Sequence, residues 1–163
     1  MSTLTGTIHK ESASTPMASV ILQFTPLAYP LPSAGQVMTG GIYEVTTDEN
    51  GEFTIELTPA VWRVEWWGRG VKNRGMFALT SAGGDLADLL VSTVGETAPY
   101  YFDTVEEFQE STTNAQVVGI GADANGDPAV FRVGGSGTHD GVNIIVRNDG
   151  VVYTRMDGLQ IVE

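Results

Sequence analysis

Between Ile42 and Trp67 the hydrophobic and polar residues alternate with a period of two, and this stretch organises the reading of the whole chain. In EFTIEL, Phe53, Ile55 and Leu57 alternate with Glu52, Thr54 and Glu56, as in a strand with one face in a core and the other in water. In WRVEW, Trp62, Val64 and Trp66 alternate with Arg63 and Glu65, so a second strand carries the same split and shares that core. The stretch as a whole predicts three consecutive antiparallel strands. Asp48-Glu49-Asn50-Gly51 predicts a four-residue hairpin turn between the first two, because Asp bonds its own backbone and Gly accepts positive φ. Pro59 after Thr58 ends the next strand, since Pro cannot donate to a ladder.

Upstream, Leu4–Ile8 and Ser19–Phe24 predict strands separated by a polar loop, with Val20, Leu22 and Phe24 on one face and Ile21 and Gln23 on the other. TPLAYPLPSAGQVMTGG carries three of the seven prolines and no strand pattern before Val37, which predicts a long connection lying on a surface that another chain covers. Downstream of the central strands, GRGVKNRG reads as a glycine-punctuated loop, and MFALT restarts a strand with Phe77 and Leu79 on one side. Leu86, Leu89 and Leu90 follow Asp85 at helical spacing and predict one or two helical turns. A domain boundary is expected between Val94 and Pro99.

The rest begins with FDTVEEFQES. Thr104 and Glu107 have capping-box spacing, and Val105 and Phe108 share a helical face. Gln116–Ile120, AVFRV, VNIIV and VVYTRM then read as strands, the last two forming a hairpin around Asn148-Asp149-Gly150. The pattern therefore predicts a mainly β chain: antiparallel strands over residues 1–95, then a small α+β module with antiparallel strands over residues 96–163.

Composition fits this picture. The 163 residues are 42% hydrophobic, enough for a real core, and include 20 Gly and 7 Pro to make turns. A net charge of −12 opposes binding to nucleic acid or to anionic membranes, both of which require Lys and Arg against phosphate. With no cysteine, neither a disulfide framework nor a thiolate zinc site is available. There is no run of about 18 apolar residues and no signal-peptide pattern, so the expectation is no membrane insertion and no Sec-type export.

VTTDENGEFTIELTPAVWRVEW resembles the strand-turn-strand core of transthyretin-like and carboxypeptidase-regulatory-like β-sandwich modules, a pattern shared by many functionally unrelated sandwiches, and the resemblance implies an N-terminal antiparallel β-sandwich of immunoglobulin or transthyretin type over residues 1–95. A more specific likeness runs from Tyr101 to Leu159. YFDTVEEFQE, VVGIGADANGDPAVFRV and THDGVNIIVRNDGVVYTRMDG resemble the short module that precedes the β-helix of bacteriophage tailspikes and tail fibres. The order and spacing match through Val117, Gly119, Gly126, Asp127, Phe131, Asp140, Gly141, Gly150 and Arg155. GGDLADLL also looks like a segment of phage fibre N-terminal regions.

What the resemblance implies is a virion protein: a fibre or adaptor of the tail, neck or capsid surface, made in the host cytoplasm and assembled as a homotrimer beside other virion proteins. In tailspikes the glycan-degrading site lies on the β-helix that follows this module. Because the chain stops at Glu163, no enzymatic activity is carried over, and neither catalytic residues nor a cofactor are expected.

Candidate chemistry is sparse. Asp123, Asn125 and Asp127 have the first three spacings of a calcium loop, but Pro128 stands where Gly is needed and Gly134 where the bidentate Glu should be, so an Asx turn is expected and no metal. Asp103, Glu106, Glu107 and Glu110 could pair as glycosidase carboxylates, yet acids at a helix start suit the macrodipole and cap. His9 and His139 sit in no catalytic or zinc pattern, and GGSGTHDG and GADANGDP read as turns. One cluster suggests an interface: Arg63, Arg69, Lys72 and Arg74 are half of the eight basic residues, and Trp67 is out of phase with the core-facing Trp62, Val64 and Trp66 and so predicted to point outwards. Two readings of it stand. One is a solvated hairpin tip, the other a docking patch for an acidic virion neighbour or for host surface glycan, with Tyr100 or Tyr101 as further ring faces for a sugar.

Overall fold

The structure, a computed structural model, describes residues 1–10, 15–28, 31–33, 36–38, 41–68, 70–90 and 101–156. It is mainly β, a sandwich followed by a small α+β module. One sheet of the sandwich has the order β6-β1-β9, from β1 (Ser2–Thr7), β6 (Glu52–Leu57) and β9 (Gly84–Asp85). The other has the order β5-β2-β7-β8, from β2 (Ile21–Pro26), β5 (Tyr43–Thr46), β7 (Ala60–Gly68) and β8 (Val71–Leu79), all antiparallel. The alternating residues meet between the sheets: Leu4, Phe53 and Leu57 pack against Leu22, Phe24, Trp62, Val64, Phe77 and Leu79. Trp62 is buried and its indole N–H donates to the Thr58 carbonyl at 2.9 Å, so the largest core side chain leaves no polar atom unsatisfied. Helix α1 (Leu86–Leu89) is a single turn capped by Asp85, whose carboxylate accepts from the Ala87 N–H, and it inserts Leu86 into this core.

The central strands are real, but their pairing differs from the expected meander. β5 and β7 both flank β2, while β6 pairs with β1 in the opposite sheet. The Asp48–Gly51 turn therefore carries the chain from one sheet to the other. Its local chemistry is as expected: Asp48 Oδ1 accepts from Asn50 and Glu52 N–H, and Gly51 has φ of 75°. Gly51 is also required because a Cβ there would lie 2.6 Å from the Ile8 carbonyl oxygen.

Two further expectations are overturned. GRGVKNRG is not a loop, since Val71, Lys72, Asn73 and Arg74 pair with Gly68, Trp67, Trp66 and Glu65 in one long hairpin. Its charged residues hide the strand because they sit on an outer face that needs no apolar side chains. The long connection before Tyr43 also contains a two-stranded ribbon, β3 (Leu31–Ser33) with β4 (Gln36–Met38). The expected domain boundary at Val94–Pro99 lies outside the described residues.

The second half is a sheet of order β10-β11-β12-β14-β13, from β10 (Tyr101–Thr104), β11 (Val117–Ala122), β12 (Ala129–Val133), β13 (Ile144–Val146) and β14 (Val152–Arg155). It is antiparallel except that β10 runs parallel to β11, a pairing made possible by the crossover through helix α2 (Val105–Glu110). Half of the predicted capping box forms: Thr104 Oγ1 accepts from the Glu107 N–H, while the Glu107 carboxylate reaches one residue further back and accepts from the Asp103 N–H instead of that of Thr104. Val105 and Phe108 pack on Ile120, Phe131, Ile145 and Tyr153.

The opposite face of this sheet is covered too. Val117 and Val130 pack against Val61, Met76 and Ala78, which lie on the outer face of β7 and β8. β11 and β12 are thus buried on both sides, which explains why VVGI and AVF read as near-continuous apolar runs instead of alternating. The contact is close at Gly119, where a Cβ would sit 2.9 Å from Val61 Cγ1.

Candidate functional site

The pairing registers arrange the outer face of the four-stranded sheet in rows. At the covered end, Val61 sits beside Ala78, and next come Thr25, Arg63 and Met76. The following row is Glu44, Gln23, Glu65 and Arg74. The last row, at the open end, begins with Thr46 beside Ile21 and ends with Trp67 beside Lys72, and one further step of the β2–β7 register brings Ile21 alongside Trp67. Ile21, Gln23, Glu44, Glu65, Trp67 and Lys72 line one shallow groove.

Trp67 points outwards as predicted and is 65% exposed. Of the basic residues expected around it, Lys72 and Arg74 are exposed on the same face, Arg63 is half-buried one row nearer the covered end, and Arg69 lies outside the described residues. The sequence reading missed what lies between them. Glu65 bridges Lys72 at 3.0 Å and Arg74 at 3.3 Å, both through Oε2. Partial burial pushes its carboxyl up, but the bond and charge of Lys72, followed by those of Arg74, outweigh this and hold it below the ordinary carboxylate value. The cations are therefore not a bare basic patch. Glu65 was legible, since it shares the phase of Arg63 and Trp67, whereas Gln23 and Glu44 come from strands whose partners the sequence does not announce.

Tyr101 belongs elsewhere. It is half-buried against the contact between sandwich and module, and its ring lies over Gly119 and Gly121. Burial, together with the nearby charges of Asp103 and Glu107, pushes its phenol up to about 12. Tyr100, the other ring proposed for a sugar, is outside the described residues.

The acidic turns of the second half are occupied by their own backbone. Asp123 Oδ1 accepts from Asn125 and Asp127 N–H at 2.8 and 3.0 Å, and its Oδ2 accepts from Arg155 at 2.8 Å, with both side chains fully buried. Arg155 also donates to the Val142 carbonyl at 3.1 Å. One guanidinium thus ties the GADANGDP turn to the start of the final hairpin, and the Asx-turn reading accounts for the Asp123 oxygens. Asp140 Oδ1 accepts from Val142, Asn143 and Ile144 N–H, and His139 Nδ1 accepts from the Val146 N–H, so the end of GGSGTHDG is pinned. Partial burial raises the Asp140 carboxyl, but these three donors bring it below its ordinary value.

Arg147 forks onto Asp149 in the hairpin turn and donates to the Thr113 carbonyl, while its guanidinium lies 5.7 Å from the centre of the Tyr153 ring. Among the described residues no group of three or more His, Asp or Glu side chains converges as a metal site would require. Asp103, Glu106 and Glu107 are exposed around the start of α2, where the Glu107 side chain makes a cap contact, whereas Glu110, expected to share that role, is the last residue of the helix and lies away from its N-terminus. No model of a known protein family matches the chain, and no curated protein matches it significantly.

Proposed function

We propose that this chain is a bacteriophage virion structural protein, a fibre or adaptor component of the tail, neck or capsid surface that works by assembly and binding. It catalyses no reaction, assembles as a homotrimer and meets other virion proteins. The observation that supports this reading is the use made of the residues from Tyr101 to Arg155. An aromatic strand, a short capped helix, the Val-Val-Gly strand, the Asp-rich turn, the Phe-Arg strand and the final hairpin follow one another in the order of the pre-β-helix module. The acidic residues of the turns are engaged in backbone and arginine contacts: Asp123 with Arg155, Asp140 with the β13 entry, Asp149 with Arg147.

Its partners follow from charge and shape. A chain of net charge −12 is poorly suited to nucleic acid. Among the described residues no helix is long and apolar enough to cross a membrane. The five-stranded sheet ends at β10 and β13, whose outer edges carry no partner strand among the described residues, and such edges suit pairing with copies or neighbours. Light scattering over a range of concentrations tests the assembly. The expected mass is three times 17.4 kDa, and a strict monomer at every concentration contradicts the trimer.

A second reading, a carbohydrate-binding β-sandwich module that recognises host surface glycan, is favoured by one observation, the exposure of Trp67 beside fixed polar side chains.

A further inference from the structure

We infer that the open end of the outer face of β5-β2-β7-β8 is a platform for an uncharged oligosaccharide, with Trp67 as the stacking surface and the Glu44–Gln23–Glu65–Arg74 row as its hydrogen-bonding edge. The inference rests on the glycan-binding reading and gives that reading a site and a ligand class.

The platform is amphipathic in the way a pyranose ring is. One row offers apolar surface, Trp67 at 65% exposure next to Ile21 at 53%. The adjacent row offers donors and acceptors whose positions are already fixed. Gln23 Nε2 donates to Glu44 at 2.8 Å, which orients the amide with its carbonyl oxygen as an acceptor, and Glu65 is held between Lys72 and Arg74. A sugar ring presents C–H groups on one face and hydroxyls around its rim. The indole takes the first, and the polar row, within one residue step on the same strands, takes the second. Because the polar side chains are held by each other, little ordering is needed when a ligand arrives.

Charge and size select this occupant over a protein. The groove is lined by two carboxylates, Glu44 and Glu65, and one cation, Lys72, and Arg74 beside it is paired with Glu65, so it offers no net counter-charge to a polyanion or an acidic protein. A second copy of the chain, with net charge −12, gains nothing there electrostatically. Four strands wide and two rows deep, the open area measures roughly 15 by 7 Å from strand and residue spacings, about 100 Å². A stable protein interface needs about 800 Å² from each partner. About one or two sugar rings fit the space. The remainder of the face is already covered by Val117 and Val130 of the second half, which fixes the edge of the platform.

The test uses the full chain and a panel of neutral oligosaccharides built from glucose, galactose, mannose and N-acetylglucosamine, titrated by calorimetry in low and high salt. The expected result is salt-insensitive binding of at least one of them, with a dissociation constant roughly in the millimolar range. Trp67→Ala, at an exposed position where folding is not at stake, is expected to weaken it about tenfold or more, Trp67→Phe is expected to restore part of the loss, and Glu65→Gln weakens it less than Trp67→Ala. Binding that survives Trp67→Ala overturns the platform while leaving the glycan-binding reading in force at another site. No binding by any sugar at about ten times that concentration overturns both, and leaves the assembly reading untouched. Binding only of charged glycans, abolished by salt, overturns the neutral-ligand assignment.

Discussion

Replacing Arg155 with Met is expected to destabilise the chain by about 3–5 kcal/mol, the usual cost of leaving one partner of a buried ion pair without the other. Arg155 and Asp123 are both fully buried and 2.8 Å apart, so after the substitution a carboxylate remains in a dry site without its cation. Met fills much of the volume of the arginine stem, which makes the loss mainly electrostatic. Asp123→Asn alone is also expected to be costly, because it leaves the guanidinium without counter-charge. It preserves the side-chain oxygen that accepts from Asn125 and Asp127, so the turn itself survives. The double variant is expected to be more stable than the sum of the two single losses predicts, with a coupling of about 1–3 kcal/mol. Urea unfolding of the four proteins measures this cycle. A loss below about 1 kcal/mol for Arg155→Met, or strict additivity, contradicts the view that this pair holds the module together.

Gly119→Leu is expected to loosen the second half from the sandwich. Already at the Cβ position the new side chain meets Val61 Cγ1 at 2.9 Å, Tyr101 Cδ2 at 3.3 Å and Met76 Sδ at 3.5 Å. The branched end of Leu has no space beyond them, so the two layers must separate at a cost of about 2–3 kcal/mol. The two principal cores do not depend on this contact, since Phe24, Trp62 and Phe77 pack in one and Phe108, Phe131 and Tyr153 in the other. The variant should therefore unfold in two steps. All three tryptophans are in β7 and report the sandwich, while circular dichroism reports the whole chain. In the parent the two signals are expected to change together, and in Gly119→Leu the fluorescence and dichroism midpoints should separate. Gly119→Ala, whose Cβ already meets the stiff, buried Val61 at 2.9 Å, should cost about 1 kcal/mol, less than Gly119→Leu. Coincident and unshifted transitions in Gly119→Leu contradict the proposed role of this contact.

How far the sequence revealed this arrangement depended on whether the deciding interaction was local. The Thr104–Glu107 cap, the Asp48 turn, the core-facing phase of the buried Trp62 and Val64 and the half-buried Trp66, and the outward phase of Trp67 are set by neighbours a few residues away, and all were legible. Strand partners were not. EFTIEL and WRVEW belong to opposite sheets because the Asp48 turn crosses the sandwich, and a period-two pattern names the buried face without naming the strand beside it. Lys72, Asn73 and Arg74 looked like a loop because the outer face of β8 accepts charge, and only the register with Glu65 and Trp67 reveals the strand. The buried role of Arg155 depends on Asp123, thirty-two residues earlier, so its place in the final hairpin could be read but its partner could not. For the candidate site, the ring and its basic neighbours could be found in the sequence, while Gln23, Glu44 and Ile21 joined them only through the fold.

The rows on the outer face also connect fold to function. One sheet surface is used twice: Val61, Met76 and Ala78 at one end receive the second half of the chain, and Ile21 and Trp67 at the other remain open. Docking the module thus leaves a small amphipathic area beside a rigid polar row, in a protein whose acidic turns are committed to holding its own loops.

The most direct test of the virion assignment is quantitative mass spectrometry of gradient-purified particles produced from the genome that encodes the chain. The account predicts that the chain co-purifies with intact particles and is present in a copy number divisible by three. Its absence from particles, with the protein plentiful in the same lysate, would contradict the assignment.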